Sequence, residues 1–163
     1  MLEPAILGPA AEALVIHASL ESGDRVVDIG CGTGAASLCA ARIVGPSGRV
    51  VGVDVNRGMI DVARARPDGE TPASFDAVLS AQTLQFVPDR QQAVSEMRRV
   101  LCPGGRAGVS VWCALDRSPY FLALVESISE YVGAETAAGL GAAFGLSDGS
   151  RIPFLSYFVI AVS

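Results

Sequence analysis

The chain contains no lysine: all twelve of its basic residues, in a length of 163, are arginine. That absence excludes Schiff-base catalysis, a phosphate-binding P-loop and acid–base work that depends on lysine. Histidine and tryptophan occur once each, as His17 and Trp112. Cys31, Cys39, Cys102 and Cys113 have no C-x-x-C spacing and sit in apolar or turn contexts, so neither a metal site nor a disulfide framework is expected. No basic residue precedes Arg25, and Glu3 and Glu12 lie before it, a pattern that does not fit a secretory signal. The apolar stretch Ile152 to Val162 is far too short to span a bilayer, so a cytoplasmic protein is expected. The net charge is −5 and the arginines are scattered rather than banded. Nothing there forms an electrostatic footprint for nucleic acid, which leaves small molecules as the expected partners. The length suits one domain spanning residues 1–163. It gives no oligomeric state.

What is present is glycine in a particular place. Val26-Val27-Asp28-Ile29-Gly30-Cys31-Gly32-Thr33-Gly34 joins a buried strand to a helix start, with a carboxylate near the strand's end. Glycines let the backbone turn tightly and approach a ligand closely, and the helix that follows presents unpaired N–H groups to that ligand. Val50-Val51-Gly52-Val53-Asp54 reads as the next strand and ends in an acid about twenty residues beyond the last glycine, where an acceptor for a ribose diol belongs. The pattern is that of a nucleotide-type cofactor.

Gly30, Gly32 and Ala35 can be fitted to the dinucleotide pattern, so a nicotinamide oxidoreductase is one reading. Asp28 argues against it. A carboxylate at the loop's mouth facing a pyrophosphate about 4 Å away would cost on the order of 4 kcal/mol at an effective dielectric near 20. A ligand bearing an ammonium and a sulfonium would gain from the same carboxylate, provided Asp28 faces the ligand rather than the packed interior.

Asp28-x-Gly30-x-Gly32-x-Gly34 resembles the first motif of the class I S-adenosylmethionine-dependent methyltransferases, and the resemblance extends over residues 9 to 115. Ser74-Phe75-Asp76-Ala77-Val78 is similar to the family's fourth strand. Leu101-Cys102-Pro103-Gly104-Gly105, followed by Arg106 to Trp112, is similar to the helix end and fifth strand of the ubiquinone and menaquinone methyltransferase group. The resemblance implies a Rossmann-like α/β fold: a doubly wound, mostly parallel sheet with helices on both faces and a C-terminal antiparallel strand. It implies S-adenosylmethionine as cofactor, methyl transfer to a small molecule, and cofactor contacts at Asp28, Gly30, Cys31, Gly32, Gly34, Asp54, Val55, Met59, Ala81 and Gln82. Asp54 takes the ribose and Val55 and Met59 flank the adenine in that scheme.

For the acceptor pocket, Gln82, Gln85, Phe86, Trp112 and Tyr120 are candidates, each equally a core or surface residue. Relatives often carry histidines just after the position of Leu84, where this chain has Gln85-Phe86, so no catalytic base is assigned. His17 reads as a packed or solvated helix residue. A sulfonium donor is already activated, so alignment and water exclusion are the chief requirements. A binding protein that keeps the fold but has lost transfer is the remaining alternative.

The sequence pattern predicts helices over Pro9 to Leu20, Ala35 to Val44, Arg57 to Arg66, from Asp89 as N-cap through Leu101, and over Pro119 to Tyr131. Strands are expected at Arg25 to Ile29, Arg49 to Asp54, Phe75 to Ser80, Ala107 to Trp112 and Phe154 to Val162, with a loose glycine-rich stretch at Gly139 to Gly149. Pro67 to Ser74 is too short for the third strand that the resemblance calls for, and Asp148 to Arg151 too short for a further helix and strand. The reading favoured is that the sequence lacks segments near Pro67/Asp68 and Asp148/Gly149, rather than that both were deleted naturally.

Overall fold

The computed structural model describes residues 3–55, 75–112, 114–141 and 157–161. The expected helix at Arg57 to Arg66, the short interval before Phe75 and the expected break at Asp148/Gly149 fall outside them. The chain divides into two compact units: residues 1–110 with 157–163, and residues 111–156.

In the first unit, α1 (Glu3–His17), β1 (Arg25–Ile29), α2 (Ala35–Val44), β2 (Arg49–Val53), β3 (Phe75–Ala81), α3 (Arg90–Val100), β4 (Leu101–Ser110) and β5 (Tyr157–Ala161) follow in order. The sheet order is β2-β1-β3-β4-β5. β2, β1, β3 and β4 are mutually parallel, and β5 runs antiparallel to β4 with Arg106 opposite Ala161. The chain leaves β1 through α2 to pair on one side with β2, then crosses to the other side of β1 as β3. The carboxyl ends of β1 and β3 therefore flank a point where the winding reverses, and a parallel sheet opens a crevice there.

Alternation along the strands divides the buried residues between two faces. Val26 pairs with Ala77, and Asp28 with Leu79. These project to the side covered by α1 and α2, where Leu14, Val15, Ala18, Ala36, Ala40 and Val44 complete one core cluster. Val27, Val78, Ala107 and Val109 project to the opposite side and are also buried. α3 packs against β4 and buries Met97 alone among its residues, while Val94 is 40% exposed. Asp89 caps α3 as its spacing predicts, accepting from the Gln92 N–H at 2.9 Å.

Several boundaries differ from the sequence pattern. α1 begins at Glu3 and carries Pro9 inside it. It stops at His17, three residues before the expected end at Leu20, and Ser19 turns to a φ of 51°. The Gly23 N–H donates to the Val44 carbonyl at 2.9 Å and ties α1's exit to the end of α2. Pro103-Gly104-Gly105 does not separate α3 from the next strand: β4 starts at Leu101, and the turn residues form a bulge between the Phe75–Leu101 and Ala77–Arg106 pairs. β4 ends at Ser110, so Trp112 lies beyond the strand it was expected to close.

The second unit holds α4 (Pro119–Tyr131), at the expected bounds, and α5 (Ala134–Gly141), which pack on each other. α5 was hidden by its glycines; Ala134, Ala137 and Ala138 outweigh them in helix preference, and Ala137 is buried.

Leu14→Ala, which empties the centre of the α1–sheet core, is expected to cost about 2–5 kcal/mol, and Asp89→Ala about 1 kcal/mol, in urea unfolding followed by circular dichroism.

Candidate functional site

The residues from Gly30 to Gly34 connect β1 to α2 with the N–H groups turned in a fixed pattern. Gly30 and Cys31 both donate to the Val53 carbonyl, at 2.8 and 3.1 Å, and Gly32 donates to Asp54 Oδ2 at 2.9 Å. Three consecutive amides thus bind the loop to the end of β2. Gly30, Gly32 and Gly34 have φ values of 70°, 52° and 90°, which L side chains rarely adopt. Gly30 has a second reason to be glycine: a Cβ there would sit 2.2 Å from Thr83 Oγ1, which bonds the Gly30 and Ala81 carbonyls. At Gly32 a Cβ would meet nothing within 4 Å, so open space lies above that residue.

This open space is a cleft lined in part by Ala11 of α1, Gly30, Cys31 and Gly32 of the loop, and Gln82 and Ser110 beyond and at the ends of β3 and β4. Its position at the β1/β3 reversal is the one that the topology prepares. Gln82 holds a φ of 56°, uncommon for a residue with a side chain. Ser110 fixes it there: the Gln82 N–H donates to the Ser110 carbonyl at 2.8 Å, and Nε2 reaches Ser110 Oγ at 3.2 Å. Gln82 Oε1 is left buried with no protein donor.

Asp28 corrects the sequence reading. Its carboxylate does not face the opening; it is fully buried beneath the start of α2, where Ser37 Oγ donates to Oδ2 at 2.6 Å. A side chain in the second position from the end of a central strand projects into whichever face its register assigns, and here that is the face α2 covers. Oδ1 has no donor from the protein. Burial pushes this carboxyl up to about 6; the hydroxyl and backbone of Ser37 oppose the shift, and the charge of Asp54 adds to it. Burial likewise pushes the Cys31 thiol up to about 11, with Asp28 and Asp54 contributing.

Of the other expected cofactor contacts, Gly30, Cys31, Gly32, Ala81 and Gln82 meet in the cleft. Gly34 precedes α2 and accepts from Leu38 N–H, and Asp54 holds the loop through Gly32 rather than lining the cleft. Val55 is fully exposed. Met59 lies outside the described residues. Gln85 and Phe86 occupy the turn Leu84–Phe86, and neither is among the residues lining the cleft. In the second unit the Trp112 ring meets Phe121 edge-on at 4.7 Å, and Phe121 meets Tyr120 at 5.2 Å, so these aromatics pack on one another. His17 reaches the Ala13 carbonyl at 2.7 Å on the exposed end of α1. Sequence reasoning missed Ser37, Thr83 and Ser110. Serine and threonine carry no motif signal, and their roles depend on which strand ends come together. Among the described residues no group of His, Cys, Asp and Glu could hold a metal ion, and no helix is long and apolar enough to cross a membrane.

Residues 27–109 match the family described as Methyltransferase domain. The chain belongs to this methyltransferase family. Its matched region runs from within β1 to within β4 and so contains the whole loop. This methyltransferase chain is 35% identical over 108 residues to a demethylmenaquinone methyltransferase of Lactobacillus johnsonii, covering 55% of the chain and 44% of the relative. It is 36% identical over 115 residues to an aklanonic acid methyltransferase of a Streptomyces species, covering 60% of the chain and 52% of the relative. A solved structure of an S-adenosylmethionine-dependent methyltransferase from Mesorhizobium loti superimposes with a TM-score of 0.53 at 29% identity, over 67% of this chain and 56% of that one. The chain spans about half the length of the curated relatives it matches.

Two substitutions separate the glycines of this methyltransferase loop. Gly30→Ala is expected to destabilise the fold by about 3 kcal/mol through its clash with Thr83, whereas Gly32→Ala should cost about 1–2 kcal/mol and obstruct the cleft. Asp28 generates a pH signature. Its native pKa lies above the unfolded value, so the native state retains a proton that the unfolded chain loses. Stability should therefore fall by up to about 3 kcal/mol as the pH rises from about 4 to about 6, then level off. Asp28→Asn should abolish that fall and be the more stable protein at pH 7, in urea titrations across the range.

Proposed function

We propose that the chain transfers a methyl group from S-adenosylmethionine to a small-molecule acceptor of apolar or aromatic character. The observation that carries this reading is a buried acceptor atom, Gln82 Oε1, left without a protein donor on a residue that lines the cleft beside the glycine loop. A buried acceptor without a donor is costly, and a ligand ammonium would relieve it. A pyrophosphate would not, since it brings acceptors of its own. That chemistry favours the amino-acid tail of S-adenosylmethionine over a nicotinamide dinucleotide. The curated relatives' names, demethylmenaquinone and aklanonic acid methyltransferase, support a small aromatic acceptor.

When bound, the cofactor supplies a methyl group already activated on a positive sulfur. In this reading, Gln82 accepts a hydrogen bond from the ammonium, and Asp28, buried beneath the loop with Ser37 on Oδ2, favours the positive ligand through its charge rather than by contact. Gly30, Cys31, Gly32 and Ala81 form the wall that lets the ligand approach the backbone. Asp54 offers its carboxylate to the ribose diol while retaining the Gly32 N–H, and Val55 and Met59 flank the adenine. Gln85, Phe86, Trp112 and Tyr120 are the acceptor-pocket candidates. No base is invoked, because a phenol or carboxylate acceptor ionises without one, and alignment then provides most of the acceleration.

Calorimetry with S-adenosylhomocysteine should give binding that weakens as the pH falls below about 6 and Asp28 takes up a proton, and NAD should give none. Binding of NAD without any response to S-adenosylhomocysteine would overturn the reading. Radiolabelled methyl transfer into a metabolite extract distinguishes an enzyme from a protein that only binds the cofactor.

A further inference from the structure

β1 and β2 place Asp28 directly beside Gly52, and above that pair stand Cys31 from the loop and Ser37 from the first turn of α2. A Cβ built on Gly52 would come within 2.8 Å of Cys31 Sγ, 3.1 Å of Cys31 Cβ and 3.4 Å of Ser37 Oγ. The first contact could be relieved by rotating the thiol. The second could not, because the Cys31 Cβ moves only with the loop backbone. That backbone is fastened on both sides of the clash, through Gly30 and Cys31 to the Val53 carbonyl and through Gly32 to Asp54. The third contact bears on the hydroxyl that holds Asp28 at 2.6 Å.

We infer that Gly52 is a positioning residue for the cofactor loop: the space left by its missing side chain seats Cys31 and Ser37, and through them sets both the glycine amides and the Asp28 carboxylate. Gly52 touches no ligand itself. Its φ is not in the left-handed region, so the requirement for glycine there comes from this seat and not from backbone strain. Cys31 is correspondingly buried and its thiol is pushed up toward the neutral form, which leaves it a filler of the seat and a poor nucleophile. The inference rests on the cofactor reading above for its binding consequence, but the seat is a property of the protein alone.

Two measurements on the whole chain test it. Calorimetry with S-adenosylhomocysteine reads the loop, and iodoacetamide labelling of Cys31, followed by peptide mass, reads the seat without any ligand. Gly52→Ala should weaken binding about tenfold and speed Cys31 labelling by about the same factor. Adding Cys31→Gly to Gly52→Ala removes both clashing atoms of Cys31 and should restore binding to within about threefold of that of Cys31→Gly alone. A purely structural lesion at position 52 would not be rescued at position 31. If Gly52→Ala fails to fold, Cys31→Val with Gly52 intact presses on the same seat from the other side and should weaken binding comparably. Wild-type affinity and labelling rate in Gly52→Ala, or failure of Cys31→Gly to rescue its binding, would overturn the inference. Absence of S-adenosylhomocysteine binding to the wild-type chain would remove the cofactor reading and leave the labelling comparison to decide the seat.

Discussion

The backbone bonds from Gly30, Cys31 and Gly32 to the end of β2 hold the loop after β1 flat against a neighbouring strand. Without that tether the loop would follow α2 away from the sheet, and the space above Gly32 would close or lose its shape. Everything else at the site leans on it. Thr83 braces Gly30 from β3, Ser37 reaches down from α2 to Asp28, and Gln82 is held across the opening by Ser110. The loop's amides are therefore arranged before any ligand arrives, which is how a site avoids ordering costs at the moment of binding.

The electrostatics of the site follow from burial rather than from exposure. A carboxylate at the mouth of the loop would have attracted a cation at long range. Asp28 sits instead in the interior, where water does not compensate its charge, and its affinity for protons rises until a donor from Ser37 or a ligand stabilises the ion. Such a group discriminates by chemistry more sharply than an exposed one. A positive charge placed near it lowers that proton affinity again, and a negative charge raises it further. The protein bears the cost in its own stability, which is the usual relation between a site and the fold that contains it.

Much of this was legible in the chain. The strand at Arg25–Ile29, the helix at Ala35–Val44 and the capped helix after Asp89 could be read because each has a local cause: an apolar run, small apolar residues between a glycine loop and a glycine stop, and a side-chain acceptor three residues before a free N–H. α5 and the early start of β4 could not, since glycine and proline locally favour turns and only pairing with β3, or packing against α4, overrides them. Within the site, the glycines were visible as a motif. Ser37, Thr83 and Ser110 were not, because nothing in a serine's neighbours along the chain says that a strand end from elsewhere will need its hydroxyl.

The sequence by itself determined the chemistry available around the cleft: flexible glycines, one acid at or near the end of each of two strands, no lysine, and no histidine near the loop in sequence. Those are properties of residue type and spacing, and they survive any arrangement in space. The tertiary structure alone decided how that chemistry is presented. It turned Asp28 inward, because register across β1 and β3 gives its side chain to the face that α2 covers. It gave Asp54 the task of holding Gly32, and it made Gly52 a seat for Cys31. Each of these depends on distances between segments far apart along the chain, which pairing and packing set and local pattern does not encode.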